Sequence, residues 1–290
     1  MLILVTNDDG IDAPGIRALA HAVRERGDVV VVAPEGNRSA SGHSITLTQR
    51  ISVAAHPVEP GIRGFAVGGT PVDAVKLALE QLLPGPPDLV LSGVNHGSNL
   101  GRDVFYSGTV SAAMEAAFMG TPAVAVSLAE RGGAHMAEAA AFVAWWLDHA
   151  YRRLPPGVFY NVNLPPLGAA APPAVRITRL GERHYLNEFQ RQAPSAGRDW
   201  YMMAGLADET REASDTDVAA VAAGLVSVTP LSIDLTARDA QAALGAVDHL
   251  LVPADVFRMA RRPQDTLSRT ERRPEARERS QAEEGGEVPS

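Results

Sequence analysis

The chain has 290 residues, of which 46% are hydrophobic and 21% charged, so it is long enough and apolar enough to bury a sizeable core. Its formal net charge of -8 argues against a binding surface for nucleic-acid duplexes, because such a surface needs clustered basic residues to neutralise phosphates. The lack of cysteine excludes disulfides, thiolate nucleophiles and thiolate metal ligands.

The N-terminus and the apolar segments bear on location. The chain enters an apolar run at once, with no basic segment before it, so we expect no signal peptide. The longest apolar stretches are short, or are interrupted by residues such as Glu138 and Asp148, and we expect no membrane span. A chain without cysteine also suits a reducing compartment. The sequence therefore predicts a cytoplasmic protein without a membrane partner.

Strands and helices alternate over the first half of the chain. Apolar runs typical of fully buried strands lie at residues 1–6, 29–33, 89–91 and 123–128. Helical spacing of apolar residues predicts helices between Pro14 and Gly27, after Thr70, over 110–119 and over about 135–153. Thr70 and Asp73 are spaced as in a capping box at the start of the second of these helices. This order predicts an α/β fold, with a Rossmann-like, mainly parallel sheet covered by helices on both faces. Ligands of such sheets bind beyond the carboxyl ends of the strands.

A β-rich extension follows the α/β core. Its expected elements are strands at 160–164, 175–180, 226–229 and 233–235, a hairpin arm at 200–203 and a last helix at 240–251. After Pro253 the chain is highly charged and has few large apolar residues, so most of it is expected to be disordered. The predicted organisation is a core over 1–158, an extension with oligomerisation elements over 159–252, and a tail over 253–290.

Paired carboxylates follow the first predicted strand directly. At a strand end, where Gly10 lets the chain turn, Asp8 and Asp9 can both point toward one cation. Two like charges this close are unfavourable unless a positive charge lies between them. The alternative is an ordinary Asp-Gly turn on a solvated loop.

Small polar residues follow the second and third predicted strands. Ser39 lies in a Ser/Gly loop that can cradle an anion or offer an oxygen to a metal, and a flexible loop is the alternative. Asn95 can offer its amide oxygen to a metal. Ser107 and Thr109 stand at a predicted helix start, where phosphate binding and simple N-capping are both possible. The roles of His43 and His96, which are acid/base candidates, stay open.

Several short motifs together resemble the SurE nucleotidase family, in order and in spacing, over about residues 1–251. They are Asn7-Asp8-Asp9-Gly10, Arg38-Ser39-Ala40, Gly69-Thr70-Pro71, Ser92-Gly93-Val94-Asn95, Asn99-Leu100-Gly101 and Tyr106-Ser107-Gly108-Thr109-Val110. The resemblance implies a metal-dependent nucleotidase that hydrolyses nucleoside 5'- and 3'-monophosphates. It also implies a homodimer or homotetramer that exchanges C-terminal elements between subunits.

The resemblance further implies one divalent cation per subunit, and its ligands match Asp8, Asp9, Ser39 and Asn95. All four ligands are oxygens, which suits Mg²⁺ or Mn²⁺. We expect the cation to activate a water that Asp8 or Asp9 orients, so these two aspartates are the catalytic candidates. The expected phosphate-binding residues are Asn99, Ser107, Gly108 and Thr109.

Other functions are compatible with parts of this pattern. An aspartyl-phosphate on Asp8 is not excluded by the residues themselves. A phosphatase of the haloacid-dehalogenase type would need an acid where Gly10 stands, and a dinucleotide-binding enzyme would need G-x-G-x-x-G after the first strand. A non-catalytic regulator that binds a phosphorylated metabolite on the same fold is the remaining alternative.

Overall fold

The computed structural model describes residues 1–130, 132–168, 173–186, 189–208 and 212–244. Contacts along the chain divide it into two units, Met1–Leu235 and Thr236–Ser290. The described helices are α1 (Pro14–Val23), α2 (Pro71–Leu77), α3 (Gly108–Phe118), α4 (Met136–His149), α5 (Asp217–Ala222) and α6 (Arg238–Ala243). None of them is long and apolar enough to cross a membrane.

A nine-stranded sheet forms the centre of the first unit. Its strands are β1 (Leu2–Thr6), β2 (Asp28–Pro34), β3 (Val53–Ala55), β4 (Arg63–Val67), β5 (Leu89–His96), β6 (Ala123–Leu128), β7 (Val158–Leu164), β8 (Val175–Ile177) and β13 (Val226–Ser232). They are ordered β3-β4-β2-β1-β5-β6-β7-β13-β8. The six neighbouring strands from β4 to β7 are mutually parallel, whereas β3 and β13 run antiparallel to their neighbours β4 and β7. The predicted fold class is confirmed.

Both faces of this sheet are buried under helices. Successive side chains of a strand point to opposite faces, and in β1 Ile3 belongs to one core cluster while Leu4 belongs to the other. The first cluster includes Ile16 of α1 and Val143 of α4. The second includes Val75 of α2, together with several alanines of α3. This double burial explains why the parallel strands read as continuous apolar runs.

Two short antiparallel pairs complete the first unit. They are β9 (His184–Leu186) with β12 (Leu206–Asp208), and β10 (Phe189–Ser195) with β11 (Arg198–Met203). The second pair is the hairpin whose arm was predicted at 200–203, and its strands are exposed. The strands β7 and β13 of the predicted extension pair within the central sheet. The division of the chain at residues 158 and 252 stays a prediction.

Several element predictions are corrected by the structure. The strand expected at 89–91 continues to His96, because Gly93 lies within β5 and does not end it. Residues 233–235 form no strand, since β13 ends at Ser232. The strand expected at 175–180 stops at Ile177. The last helix begins at Arg238 and is described to Ala243. Residues 245–251 of the predicted helix and the predicted tail lie outside the described residues.

Several elements were not predicted, among them β3, β4, α5 and the pair of β9 with β12. β3 is a three-residue edge strand whose side chains are exposed, so it shows no apolar alternation. β4 begins at Arg63 and includes Gly64, which weakens the strand pattern. α5 has six residues, and it begins with the Thr216 hydroxyl accepting a hydrogen bond from the amide of Ala219.

The predicted capping box of α2 is present. The Thr70 hydroxyl accepts a bond from the amide of Asp73 at 3.0 Å, and the Asp73 carboxylate accepts one from the amide of Thr70 at 2.9 Å. The same carboxylate accepts bonds from the amide and the hydroxyl of Thr46, at 3.0 and 2.6 Å. Asp73 is 5% exposed. It therefore ties the segment after the Ser39 loop to the start of α2.

We expect Asp73→Ala to lower the free energy of unfolding by about 2 kcal/mol, because three half-buried donors of Thr46 and Thr70 lose their acceptor. Chemical denaturation of both proteins measures the difference. Asp239→Ala is the matched control, since Asp239 is also an acidic residue in a first helical turn but is exposed. That control should change stability by less than about 0.5 kcal/mol. Equal effects of the two substitutions would contradict this interpretation.

Candidate functional site

The candidate site lies where the strand order reverses. From β1 the chain moves to β2 and then β4 on one side, and it returns to β5 on the other side of β1. Loops leaving β1 and β5 in opposite directions open a crevice at their carboxyl ends, which is where parallel sheets bind ligands. Asp8 and Asp9 follow β1, Ser39 follows β2, and Asn95 lies near the end of β5. The four predicted metal ligands therefore come from three adjacent strands.

Asn7 shapes the turn that presents the two aspartates. Its amide nitrogen donates to the carbonyl oxygen of Gly10 at 2.9 Å, and its amide oxygen accepts from the nitrogen of Gly10 at 3.2 Å. Asn7 is fully buried. The side chain thus closes a small ring around Asp8 and Asp9, so that the two carboxylates leave the end of the strand in a fixed turn.

Asp8 is held by the start of α3. It is 4% exposed, and its Oδ1 accepts a short hydrogen bond from the hydroxyl of Thr109. Burial raises the pKa of Asp8, the Thr109 bond lowers it, and the neighbouring charge of Asp9 raises it again. The net direction is upward. A buried carboxylate with a like charge beside it is unfavourable when ionised, and a nearby cation would relieve that cost.

Asp9 has an oxygen without a partner. Its Oδ2 is buried and accepts no hydrogen bond from any described residue. Burial raises the pKa of Asp9, whereas the charge and the backbone amide of His96 lower it. His96 thus lies close to Asp9, and its ring is packed against the backbone of Gly133. Its role as an acid or base stays a prediction.

Ser39 lies on an exposed loop beside Asp8. The amide of Arg38 donates to the carbonyl oxygen of Asp8 at 2.7 Å, which fixes the loop next to the aspartate turn. The backbone amide of Ser39 donates to the side-chain oxygen of Asn37 at 2.7 Å. Ser39 itself is exposed. Ser39 therefore lies next to the aspartate turn, and its role as a metal ligand stays a prediction.

Asn95 follows an irregularity in β5. The pairing of β5 with β6 shifts between Ser92 and Asn95, and Gly93 has a φ of 138° there. A Cβ at Gly93 would stand 2.3 Å from the carbonyl oxygen of Val126, so only glycine fits. The Asn95 amide nitrogen donates to the carbonyl oxygens of His96 and Gly97, at 3.2 and 2.8 Å. Its amide oxygen, the atom that a metal would use, remains available.

The residues predicted to bind phosphate are distributed around the start of α3. Ser107 caps the helix, because its hydroxyl accepts from the amide of Val110 at 3.1 Å. Thr109 uses its hydroxyl to hold Asp8. Gly108 is in close contact with the site, since a Cβ there would stand 2.7 Å from Asp8 Cβ and 3.0 Å from the hydroxyl of Ser41. The capping alternative for Ser107 is present, and Gly108 is the first residue of α3, where backbone amides have no acceptor within the helix.

Asn99 is fixed by a buried network. Its amide nitrogen donates to Ser127 at 2.8 Å. The backbone carbonyl oxygen of Asn99 accepts hydrogen bonds from the side-chain nitrogens of Asn161 and Asn163, at 2.8 and 3.1 Å. The side-chain oxygen of Asn163 accepts a hydrogen bond from the backbone amide of Asn99 at 2.8 Å. This network holds the glycine-rich loop, and binding of phosphate by Asn99 stays a prediction.

Sequence reasoning missed the residues that hold this loop. Asn161 and Asn163 alternate with apolar residues in β7, and in the sequence they read as ordinary strand positions. Asp217 is fully buried and accepts hydrogen bonds from the amides of Gly101 at 2.9 Å and Gly181 at 2.8 Å. Burial raises the pKa of Asp217, and these amide bonds lower it. An asparagine pair inside an apolar strand is the signal that could have indicated the network.

The residues present fit a hard divalent cation. The unpartnered Asp9 oxygen and the buried Asp8 carboxylate supply negative charge, and the Ser39 hydroxyl and the Asn95 amide supply neutral oxygens. Among the described residues, no group of three or more His, Cys, Asp or Glu side chains could hold a metal ion. That composition disfavours zinc, which usually recruits histidine or cysteine, and favours Mg²⁺ or Mn²⁺.

Comparison with known proteins identifies similar chains. A family model described as Survival protein SurE matches residues 3–187. The "5'-nucleotidase SurE" of Moorella thermoacetica is 46% identical over 255 residues, which cover 87% of this chain and 98% of that protein. The protein of the same name from Geobacter metallireducens is 48% identical over 81% of this chain and 93% of its own length. The crystal structure of the SurE protein from Aquifex aeolicus superposes with a TM-score of 0.73 at 36% identity, covering 85% of this chain and 99% of that one.

We expect Asp8→Asn to raise the melting temperature of the metal-free protein by roughly 2–4 °C for each kcal/mol of repulsion removed. The reason is that a neutral amide replaces a buried charge next to Asp9. Calorimetry in the presence of a chelator measures the shift. Asp12→Asn is the control, because Asp12 is exposed and bonds to Arg17 and His56. An amide there should leave the melting temperature unchanged or slightly lower, and an increase equal to that of Asp8→Asn would contradict the argument.

Proposed function

The chain belongs to the SurE family, and we propose that it hydrolyses nucleoside monophosphates at the carboxyl end of β1. It is a 5'-nucleotidase, a hydrolase that releases phosphate and a nucleoside. The observation that carries the assignment of the site is the aspartate pair, in which Asp8 is buried and a buried oxygen of Asp9 accepts no hydrogen bond from any described residue. The residues proposed to hold a divalent cation are Asp8, Asp9, Ser39 and Asn95.

A bound divalent cation supplies charge neutralisation for the phosphate and lowers the pKa of the attacking water. The unpartnered oxygen of Asp9 would accept a hydrogen bond from that water and orient it toward phosphorus. Thr109 keeps Asp8 in one orientation, so its charge does not have to be reorganised during the reaction. Asp8 and Asp9 are therefore the proposed catalytic residues.

The phosphate is proposed to lie against the beginning of α3. The first amides of a helix have no intrahelical acceptor, and the helix dipole favours an anion there. Gly108 permits close approach, because a side chain at this position would collide with Asp8 and Ser41. The proposed phosphate-binding residues are Asn99, Ser107, Gly108 and Thr109. Ser107 contributes by capping the start of α3, and Thr109 contributes by holding Asp8.

The finer features of the activity are also proposals. We expect Mg²⁺ or Mn²⁺ as the cation, one per subunit, and activity on 3'- as well as 5'-monophosphates. We also expect a cytoplasmic homodimer or homotetramer that exchanges C-terminal elements. The exposed apolar side chains of the β10–β11 hairpin support an oligomeric contact, because large exposed patches of this kind mark interaction sites. They include Phe189, Trp200, Tyr201, Met202 and Met203.

We expect phosphate release from AMP to require a divalent cation, and Asp8→Asn to lose most of this activity at saturating Mn²⁺, because the substitution removes one of two anionic ligands. A phosphate-release assay with and without a chelator measures both effects. Asp12→Asn, which alters an exposed aspartate four residues away, is the control for folding and expression. Binding of AMP without phosphate release would instead favour a non-catalytic regulator.

Ser39→Ala should shift the metal dependence and not the maximal rate. The substitution deletes one neutral ligand while both carboxylates remain, so activity should fall at low Mn²⁺ and recover in part as Mn²⁺ rises. Titration of the metal at fixed AMP measures the midpoint. If Ser39 contacts only phosphate, the KM for AMP rises and the metal midpoint stays in place, which would exclude Ser39 as a ligand.

A further inference from the structure

The loop that carries Ser39 is mostly exposed. Residues 35–40 are all exposed, and Ala40 adopts a φ of 58°, in the left-handed region. Around Ser39, backbone bonds tie the loop to other segments where the amide of Arg38 donates to Asp8 and the amide of Gly42 donates to the carbonyl oxygen of Tyr106 at 3.1 Å. The Thr70 hydroxyl also donates to the carbonyl oxygen of Ser44 at 2.7 Å. An exposed loop with few such bonds opens at low cost, so a side-chain restraint adds to the positioning of Ser39.

His43 supplies a side-chain restraint from the same loop. Its Nε2 is 2.9 Å from Oε2 of Glu115, which lies in the middle of α3. The ring also contacts Phe118 edge-on, with 5.5 Å between the ring centroids. The His43 side chain is 29% exposed and that of Glu115 is 12% exposed. The bond is thus partly protected from water. Hydrogen bonds between charged groups are stronger in such surroundings than at a fully exposed surface.

Glu115 is itself held in position. Its Oε1 lies 3.7 Å from the ammonium group of Lys76 on α2, which is the only lysine of the chain. A mostly buried carboxylate is costly unless it is paired, and His43 and Lys76 provide the pairing from two different segments. The same helix α3 holds Asp8 through Thr109. One helix therefore contacts both the aspartate turn and the Ser39 loop.

We propose that His43 is a positioning residue for the metal site: its bond to Glu115 holds the loop of residues 37–44 against α3 and thereby places the Ser39 hydroxyl beside Asp8. This inference rests on the proposed function, because it assumes that Ser39 is a ligand. His43 acts through Ser39 and does not touch the substrate. The restraint is a matter of geometry, so its loss should weaken metal binding and leave the chemistry at saturating metal intact.

The test measures Mn²⁺ binding by isothermal titration calorimetry in the absence of substrate. His43→Ala should weaken Mn²⁺ binding by about tenfold, the lower end of the range for residues that orient metal ligands. His43→Gln, whose amide nitrogen can still donate to Glu115, should recover part of the affinity. Glu115→Gln, which keeps an acceptor for His43, should also lie between the wild type and His43→Ala. Melting temperatures in chelator identify any variant that fails to fold.

A second pair of the same kind provides the matched control. His21 lies 3.1 Å from Glu59, and the two side chains are 56% and 24% exposed. His21 belongs to α1 and Glu59 precedes β4, and neither segment carries a proposed ligand. His21→Ala should therefore leave the affinity for Mn²⁺ unchanged. A loss of affinity equal to that of His43→Ala would show that any broken His–Glu pair has this effect, and it would overturn the proposal.

The double variant Ser39→Ala/His43→Ala decides whether His43 acts through Ser39. If it does, the double variant binds Mn²⁺ no more weakly than Ser39→Ala alone, because the loop then has no ligand to place. Additive losses would overturn the proposal. It would also be overturned if His43→Ala bound Mn²⁺ as the wild type does while Ser39→Ala bound it weakly, and the proposed metal site would then still stand. Wild-type affinity in Ser39→Ala would reject both the ligand role and the positioning role.

Discussion

The carboxylates of Asp8 and Asp9 stand side by side where β1 ends, and both are withdrawn from bulk water to a degree that raises their pKa values. A folded chain tolerates such a pair only if other groups compensate for the lost hydration and the mutual repulsion. Asp8 accepts a hydrogen bond from the Thr109 hydroxyl, and the charge and backbone amide of His96 favour the ionised form of Asp9. One Asp9 oxygen accepts no hydrogen bond from any described residue. The turn thus carries negative charge that the described residues do not fully compensate, and the proposed cation would supply the missing positive charge.

The sheet makes this concentration of polar atoms possible at low cost. In a parallel sheet buried on both faces, the carboxyl ends of the strands are the places where side chains escape the apolar core. The reversal of strand order at β1 and β5 separates the loops and leaves room between them. Farther away, asparagines of β7 and Asp217 of α5 fix the glycine-rich loop from the other side. The central residues of the sheet therefore supply rigidity, and the carboxyl ends of its strands carry the polar side chains of the candidate site.

Sequence patterns predicted the strands and helices that bury apolar side chains with a regular period, and they predicted the Thr70 capping box because its two partners are close in the chain. They failed for β3, because its exposed residues show no periodic spacing of apolar side chains. They also placed the end of β5 too early, because Gly93 suggested a turn, whereas a glycine is needed there to let the strand approach the backbone of Val126. The candidate ligands followed from resemblance and from their places at strand ends. Long-range partners such as Asp217 and Gly101, which are 116 positions apart, could not be recognised without the fold.

Helix α3 is the element through which these parts depend on one another. Its first turn faces Asp8, its middle carries Glu115, and its inward face consists of small residues such as Ala112, Ala113 and Ala116 that are fully buried. Close packing leaves such a helix no room to shift without opening cavities or overlapping atoms. A displacement of α3 would therefore move the partner of Asp8 and the partner of His43 together. It follows that the geometry of the site is determined by the packing of α3 against the sheet as much as by the ligand side chains themselves.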